Sequence, residues 1–252
     1  LAPPEVRRMR ARFRSRALLV DLGVQLKNSI HGILHKYGYL VDEVTDLFGK
    51  TGRRIMLEKV VDPDAALELG WKLDALKDLE GHIKTIEKDI KAQLKEDPRA
   101  DLLMTLPGVA EITAYALLSE IGDIRRFPNG RALAAYAGVL PLSNESGGKD
   151  FGRHTTSRCN QHLKSALIEA VSGSIRASAR MKSLHSRVKA KNQTQPGKAR
   201  MAVARELAEL VHLILTRQVP YQETPPSRPG SGDTQRPNQA SQTVRSASQV
   251  QG

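Results

Sequence analysis

Between Leu69 and Leu94 the chain carries Leu69, Leu73, Leu76, Leu79, Ile83, Ile86, Ile90 and Leu94, in unbroken steps of three or four residues. Only an α-helix with one apolar seam satisfies that spacing, because 3.6 residues per turn bring every third or fourth side chain back to the same face. Lys, Asp and Glu fill the positions between, so the other faces are wet. A seam this long needs a partner helix, and its near-heptad spacing is that of a coiled coil. A second pattern offers one. Val6, Met9, Phe13, Ala17, Val20 and Val24, then Ile30, Ile33 and Leu34, follow Pro3-Pro4 and precede Gly38. Proline suits a first helical turn and glycine a helix end. The spacing predicts an antiparallel arm, 5–37 against 66–95; pairing between two copies of the chain fits it equally well. Asp97-Pro98 ends the second helix.

The rest of the chain also reads as helix. The stretch "LLMTLPGVAEITAYALLSEIGDI", 102–124, places Pro107-Gly108-Val109 between two apolar segments. That is a helix-hairpin-helix pattern, in which backbone N–H groups at a helix start can hold a phosphate; Gly108 and Ala110 are its candidate contacts. Leu163, Ala166, Leu167, Ala170 and Val171 form one further helical face, and Met201, Ala204, Leu207, Ala208, Val211 and Leu215 another. From Gln222 onward Pro, Ser, Gln, Gly and Thr dominate and leucine is absent, the composition of a disordered tail. The expected fold is mostly α: a helical arm over 1–98, a compact helical domain over 99–221 and a disordered tail over 222–252.

The net charge of +12 points to an anionic partner, nucleic acid first. The charge is concentrated. Residues 149–200 hold twelve basic side chains and two acidic ones, and Arg7, Arg8, Arg10, Arg12, Arg14 and Arg16 fall within ten residues of the first helix. A single cysteine, Cys159, excludes an internal disulfide and a cysteine-based zinc cluster, and reads as a small apolar residue at a helix start. The arginine-rich beginning is not a secretory signal, and no apolar run approaches a membrane span. A cytoplasmic, prokaryotic protein with no membrane partner is expected.

One stretch combines reactive and basic groups: "LSNESGGKDFGRHTTSRCNQHLK", 142–164. Ser146 precedes Gly147-Gly148, with Lys149, Arg153, His154 and Arg158 close behind. By itself a serine beside two glycines is most often a turn residue.

The order of motifs resembles the C-terminal domain of insertion-sequence transposases of the IS one-ten type. Gly122-Asp123, Arg126-Phe127, Tyr136-Ala137-Gly138, Pro141, Ser146-Gly147, Gly152, Asn160 and Leu163 match the family's blocks in order. "RFRSRALLVDLGVQLKNSIHGILHKYG" is similar to the helix that precedes them, so the resemblance covers about residues 5–221. Three positions depart: Ala110 stands for the second hairpin glycine, Cys159 for a glycine before Asn160, and Lys164 for an arginine, keeping charge but losing bidentate geometry. The resemblance implies DNA transposition and a serine nucleophile, Ser146, that forms a covalent link with a DNA phosphate. It implies Lys149, Arg153, Arg158, Asn160 and Lys164 as phosphate contacts. Four acidic residues binding divalent metal, Mg²⁺ by expectation, belong to a domain upstream of the arginine-rich helix in the family. Asp42, Glu43 and Asp46 are not in that context, so no metal ligand is assigned, and the chain reads as the part after the metal domain, inactive by itself. DNA, a structured guide RNA and a second copy through the arm are the implied partners. The alternative is a non-catalytic helix-hairpin-helix protein that only binds nucleic acid, a remnant of such a transposase.

Overall fold

The computed structural model describes residues 2–40, 42–140, 159–195 and 197–223, together with the backbone of 142–146 and 149–154. The expected tail from 224 onward, and the side chains of Ser146, Lys149, Arg153 and Arg158, lie outside the described residues. The architecture is helical, as the periodicities require. Helix α1 (Pro4–Lys36) runs antiparallel to α3 (Pro63–Leu94), with the short α2 (Lys50–Lys59) beside their far end. Then come α4 (Pro98–Met104), α5 (Glu111–Ile121), a 3₁₀ turn (Ile124–Arg126) and α6 (Gly130–Tyr136). A hairpin of β1 (Leu142–Ser146) and β2 (Lys149–His154) precedes α7 (Gln161–Ala177), α8 (Ala179–Lys191) and α9 (Gly197–Arg217).

Local chemistry sets the helix ends. Gly38, at φ +71°, lets Tyr39 N–H reach back to Leu34 O and Gly38 N–H to His35 O, the paired bonds of a Schellman stop. Gly138 closes α6 in the same way, through Val139 N–H to Ala134 O and Gly138 N–H to Ala135 O. Asp62, Asp97, Asn129, Asn160 and Ser178 each accept a backbone N–H in the first turn of the helix they start.

The arm buries Leu69, Leu73 and Leu76 of α3 against Ile30, Ile33 and Leu34 of α1, with Met56 of α2 and Val60 just after it closing its far end. The α1 seam departs from the sequence reading. Gly23 faces Leu76, and a Cβ built on it would sit 3.7 Å from Leu76 Cδ1, while Val24 is 50% exposed. A glycine lets the two helices approach, and that approach turns Val24 out.

At the near end Phe13, Ile90 and Leu94 leave the arm and join the core of the helical domain. Helix α5 is its centre. Every residue from Thr113 to Ile121 is buried, so α5 is enclosed on all sides, by α4, α7, α1 and α3. Tyr115, fully buried, donates its hydroxyl to Gln93 Oε1 of α3 at 2.9 Å. Gly108, at φ +85°, brings the α4–α5 turn against Gly173 of α7. The strand pair is an addition that the mostly α expectation does not place: "LSNES" and "KDFGRH" have no apolar alternation to announce it.

Candidate functional site

The hairpin places Ser146 directly opposite Lys149 at its closed end, with Ser143 opposite Arg153 and Leu142 opposite His154 further back. The pairing is irregular between Ser143 and Glu145. The reactive-serine candidate and two of its basic neighbours therefore share one two-stranded unit.

Described residues on either side of that unit meet at Asn160. Asn160, the N-cap of α7, donates its backbone N–H to Tyr136 O at the end of α6, at 2.9 Å. Its side-chain Nδ2 donates to Tyr136 Oη at 3.1 Å and to Glu120 Oε2 at 2.8 Å, and its Oδ1 accepts Leu163 N–H at 3.0 Å. An amide has two donor hydrogens, and both are used here. The resemblance gives Asn160 to a phosphate; in the structure its partly buried side chain bonds Glu120, Tyr136 and Leu163 N–H.

Glu120 lies at the centre of this arrangement. It sits in α5 with its side chain 0% exposed, and Arg14 of α1 grips it with both nitrogens, Nε to Oε1 and Nη2 to Oε2, each at 2.8 Å. Burial by itself would push the Glu120 carboxyl up. The Arg14 and Asn160 hydrogen bonds outweigh it, helped by the charges of Arg14 and His162, and hold the carboxyl below its usual range. Arg14 is held above its ordinary value, chiefly by the same hydrogen bond.

A lowered carboxyl value means that the pair's stabilisation is fully present above the unfolded glutamate value and is lost as pH falls through the folded one. The melting-temperature gap between wild type and Glu120→Gln should be constant from about pH 8 to about pH 5 and close below about pH 4. A gap that persists unchanged through acid pH would mean that the ionised carboxylate is not what stabilises.

The arginine-rich face of α1 divides. Arg10 donates Nε to Ser119 O at 2.7 Å and Nη2 to Glu120 O at 3.0 Å, satisfying carbonyls in the last turn of α5. Arg16 bonds Glu87 of α3 at 2.7 Å. With Arg14, half of the six arginines hold the fold together rather than a phosphate. Arg7 and Arg8 stay exposed.

The basic residues of the C-terminal helices divide differently. Arg180 pairs with Glu206. Arg176, Lys182, Arg187, Lys189, Lys191, Lys198 and Arg200 are exposed, and none has an acidic partner within ion-pair distance among the described residues. Lys164 is half-buried in the first turn of α7, beside an open depression lined by Arg14, Tyr136, Cys159, Asn160, Gln161 and His162.

Gly108 turns one side to α7, and Ala110 begins α5 with no side-chain cap. The close approach assigned to a phosphate is, at Gly108, an approach to Ala170 O and Ser174. Among the described residues no three carboxylate, histidine or cysteine side chains converge as metal ligands would. Asp46 accepts Phe48 N–H, and Glu43 pairs with Lys59. No described helix is long and apolar enough to cross a membrane.

Residues 100–186, from α4 into α8 and so including Glu120, Tyr136, both strands and Asn160, match the family described as transposase IS116/IS110/IS902. A probable family 20 transposase of Pseudomonas aeruginosa is 27% identical over 226 residues, 86% of this chain and 66% of that protein. The transposase for insertion sequence element IS1111A of Coxiella burnetii is 26% identical over 218 residues, 84% of this chain and 60% of its own length. Over residues 100–186 the chain is similar to this transposase family, and the similarity to its relatives extends over most of the chain. A putative transposase, y4rJ, of Sinorhizobium fredii is 31% identical over 185 residues, 66% of this chain and 46% of that protein. The chain spans less than two thirds of the length of the first two of these relatives.

The feature that sequence reading passes over in this chain is Glu120. Its signal is present: a lone carboxylate inside "AYALLSEI", a helix apolar on every side. A charge on such a helix must find a partner.

Proposed function

We propose that this chain is the DNA-binding and strand-exchange part of an insertion-sequence transposase, with Ser146 as the nucleophile that attacks a DNA phosphate. The observation that carries the reading is the hairpin register, which sets Ser146 opposite Lys149 and Ser143 opposite Arg153 within the segment matched to the family. In the step, the Ser146 Oγ–P bond forms while the P–O bond to the adjoining nucleotide breaks. The hydroxyl proton is passed on, and the departing oxygen collects one. Attack by a strand hydroxyl on the serine-linked phosphate reverses the exchange, so one phosphoester replaces another and no external energy is required. A serine hydroxyl is a weak nucleophile at its ordinary pKa, and cationic neighbours favour its reaction by stabilising charge on the phosphoryl oxygens. Gly147 and Gly148, having no side chains, suit close approach of a backbone.

DNA binding rests on the exposed cations of α7, α8 and α9. With six to ten phosphate contacts over the whole chain, affinity should fall by about 10³ to 10⁵ between 50 and 200 mM salt. Affinity insensitive to salt would remove the electrostatic argument. The chemistry is tested by trapping a covalent protein–DNA adduct and locating it by peptide mass. An adduct on Ser146 is expected; one on Ser143, Thr155, Thr156 or a tyrosine would overturn the assignment.

A further inference from the structure

Three groups from three places meet at Glu120: Arg14 from the arm, Asn160 from the start of α7, and through Asn160 the end of α6 at Tyr136. The hairpin is inserted between those last two residues. A second contact reinforces the first, since Phe13, one residue before Arg14, meets the His162 ring edge-on at 6.1 Å. Arg10 meanwhile holds the last carbonyls of α5. The first three turns of α1 therefore lean on α5 and on the start of α7.

The geometry points to Glu120 as a positioning residue that couples the arm to the serine hairpin; the inference rests on the proposed role of Ser146. The coupling is enforced by burial. With its side chain wholly enclosed, the carboxylate depends on Arg14 and Asn160, because the Arg10 Nε is 3.9 Å away. If the arm shifts and withdraws Arg14, a buried charge is left with one amide, which is strongly unfavourable. Either Glu120 follows, pulling on Asn160 and through it on Tyr136, the two residues between which the hairpin is inserted, or the arm returns. Arg14 itself is 48% exposed, on the side of the open depression beside Asn160, so whatever engages the arm there also bears on this contact. A displacement of about 1 Å at a reacting group can cost about a hundredfold in rate.

The experiment uses the full chain, within the protein in which it cleaves DNA, and two variants. Glu120→Gln keeps shape and removes charge, and Arg14→Gln alters only the half-exposed partner. Two readouts are taken. Amide hydrogen exchange across 142–154 should quicken about tenfold in both variants, while α8 and α9 exchange as in wild type. The rate of serine–DNA adduct formation at saturating DNA should fall about 10- to 100-fold, with DNA affinity within about twofold. Arg14→Lys, which keeps the charge but not the fork, should recover part of both. Exchange at 142–154 unchanged, or quickened equally in every helix, would reduce Glu120 to a stabilising residue and overturn the proposal. If wild type forms no adduct at all, the nucleophile assignment falls, and the exchange readout still decides the coupling.

Discussion

Replacing Ser146 with alanine is expected to abolish strand cleavage, a loss of at least about a thousandfold in a protein that carries this chain and cuts DNA. DNA affinity should stay within about twofold. The substitution removes one hydroxyl and no charge, and binding to phosphates is governed by charge. Lys149→Ala and Arg153→Ala should behave differently. On the proposed function each deletes a cation placed on the phosphate before and during reaction, so affinity and rate should fall together. Each should also flatten the salt dependence, by about 0.9 in log–log slope for each phosphate no longer neutralised. Gel-shift titration at several salt concentrations, run beside single-turnover cleavage on the same three variants, separates the two patterns. An alanine variant of Ser146 that cleaves at full rate would make the hairpin a binding element, and the chain a nucleic-acid-binding protein without this chemistry.

Much of the fold is legible in the sequence because its largest part is periodic. Leu69, Leu73, Leu76, Ile90 and Leu94 are buried as their spacing requires, and Gly38 and Asp97-Pro98 stop their helices where turn chemistry says they should. Three features are not legible, each for a physical reason. Val24 continues a plausible stripe, but interhelical distance decides which side chain enters a seam, and Gly23 allows the close approach. The strands have no apolar face to bury, so their pairing leaves no period-2 signature. The arginines of α1 look uniform in sequence, yet Arg10, Arg14 and Arg16 serve the fold because Ser119, Glu120 and Glu87 lie across from them in space. Spacing along one helix says nothing about what stands opposite. The site is legible as an order of motifs; the link among Glu120, Asn160 and Tyr136 needs three segments brought together.

Gly108→Ala should be the most destabilising single methyl group in the helical domain. Gly108 has φ +85°, where a side chain is strained, and its Cβ would lie 2.2 Å from Ala170 O and 2.5 Å from Ser174 N. Both are backbone atoms of α7, so no rotamer change relieves the clash. The left-handed conformation costs about 1 kcal/mol and the overpacking about 1–3 kcal/mol more. Together these lower the melting temperature by about 5–15 °C in a chain of this size. Gly173→Ala meets the same contact from the other side, 2.7 Å from the Gly108 Cα. Gly81→Ala is the contrast. It lies within α3 with nothing within 4 Å of the added carbon, so the melting temperature should rise slightly. Calorimetry on the three variants gives the ordering, and a Gly108 variant that melts with wild type would mean that α7 does not pack there. DNA affinity of the same variant, measured well below its melting temperature, then decides what the exposed side of Gly108 does. Affinity within about twofold of wild type would leave the turn a packing element, and a larger loss would assign it a phosphate contact beside its packing role.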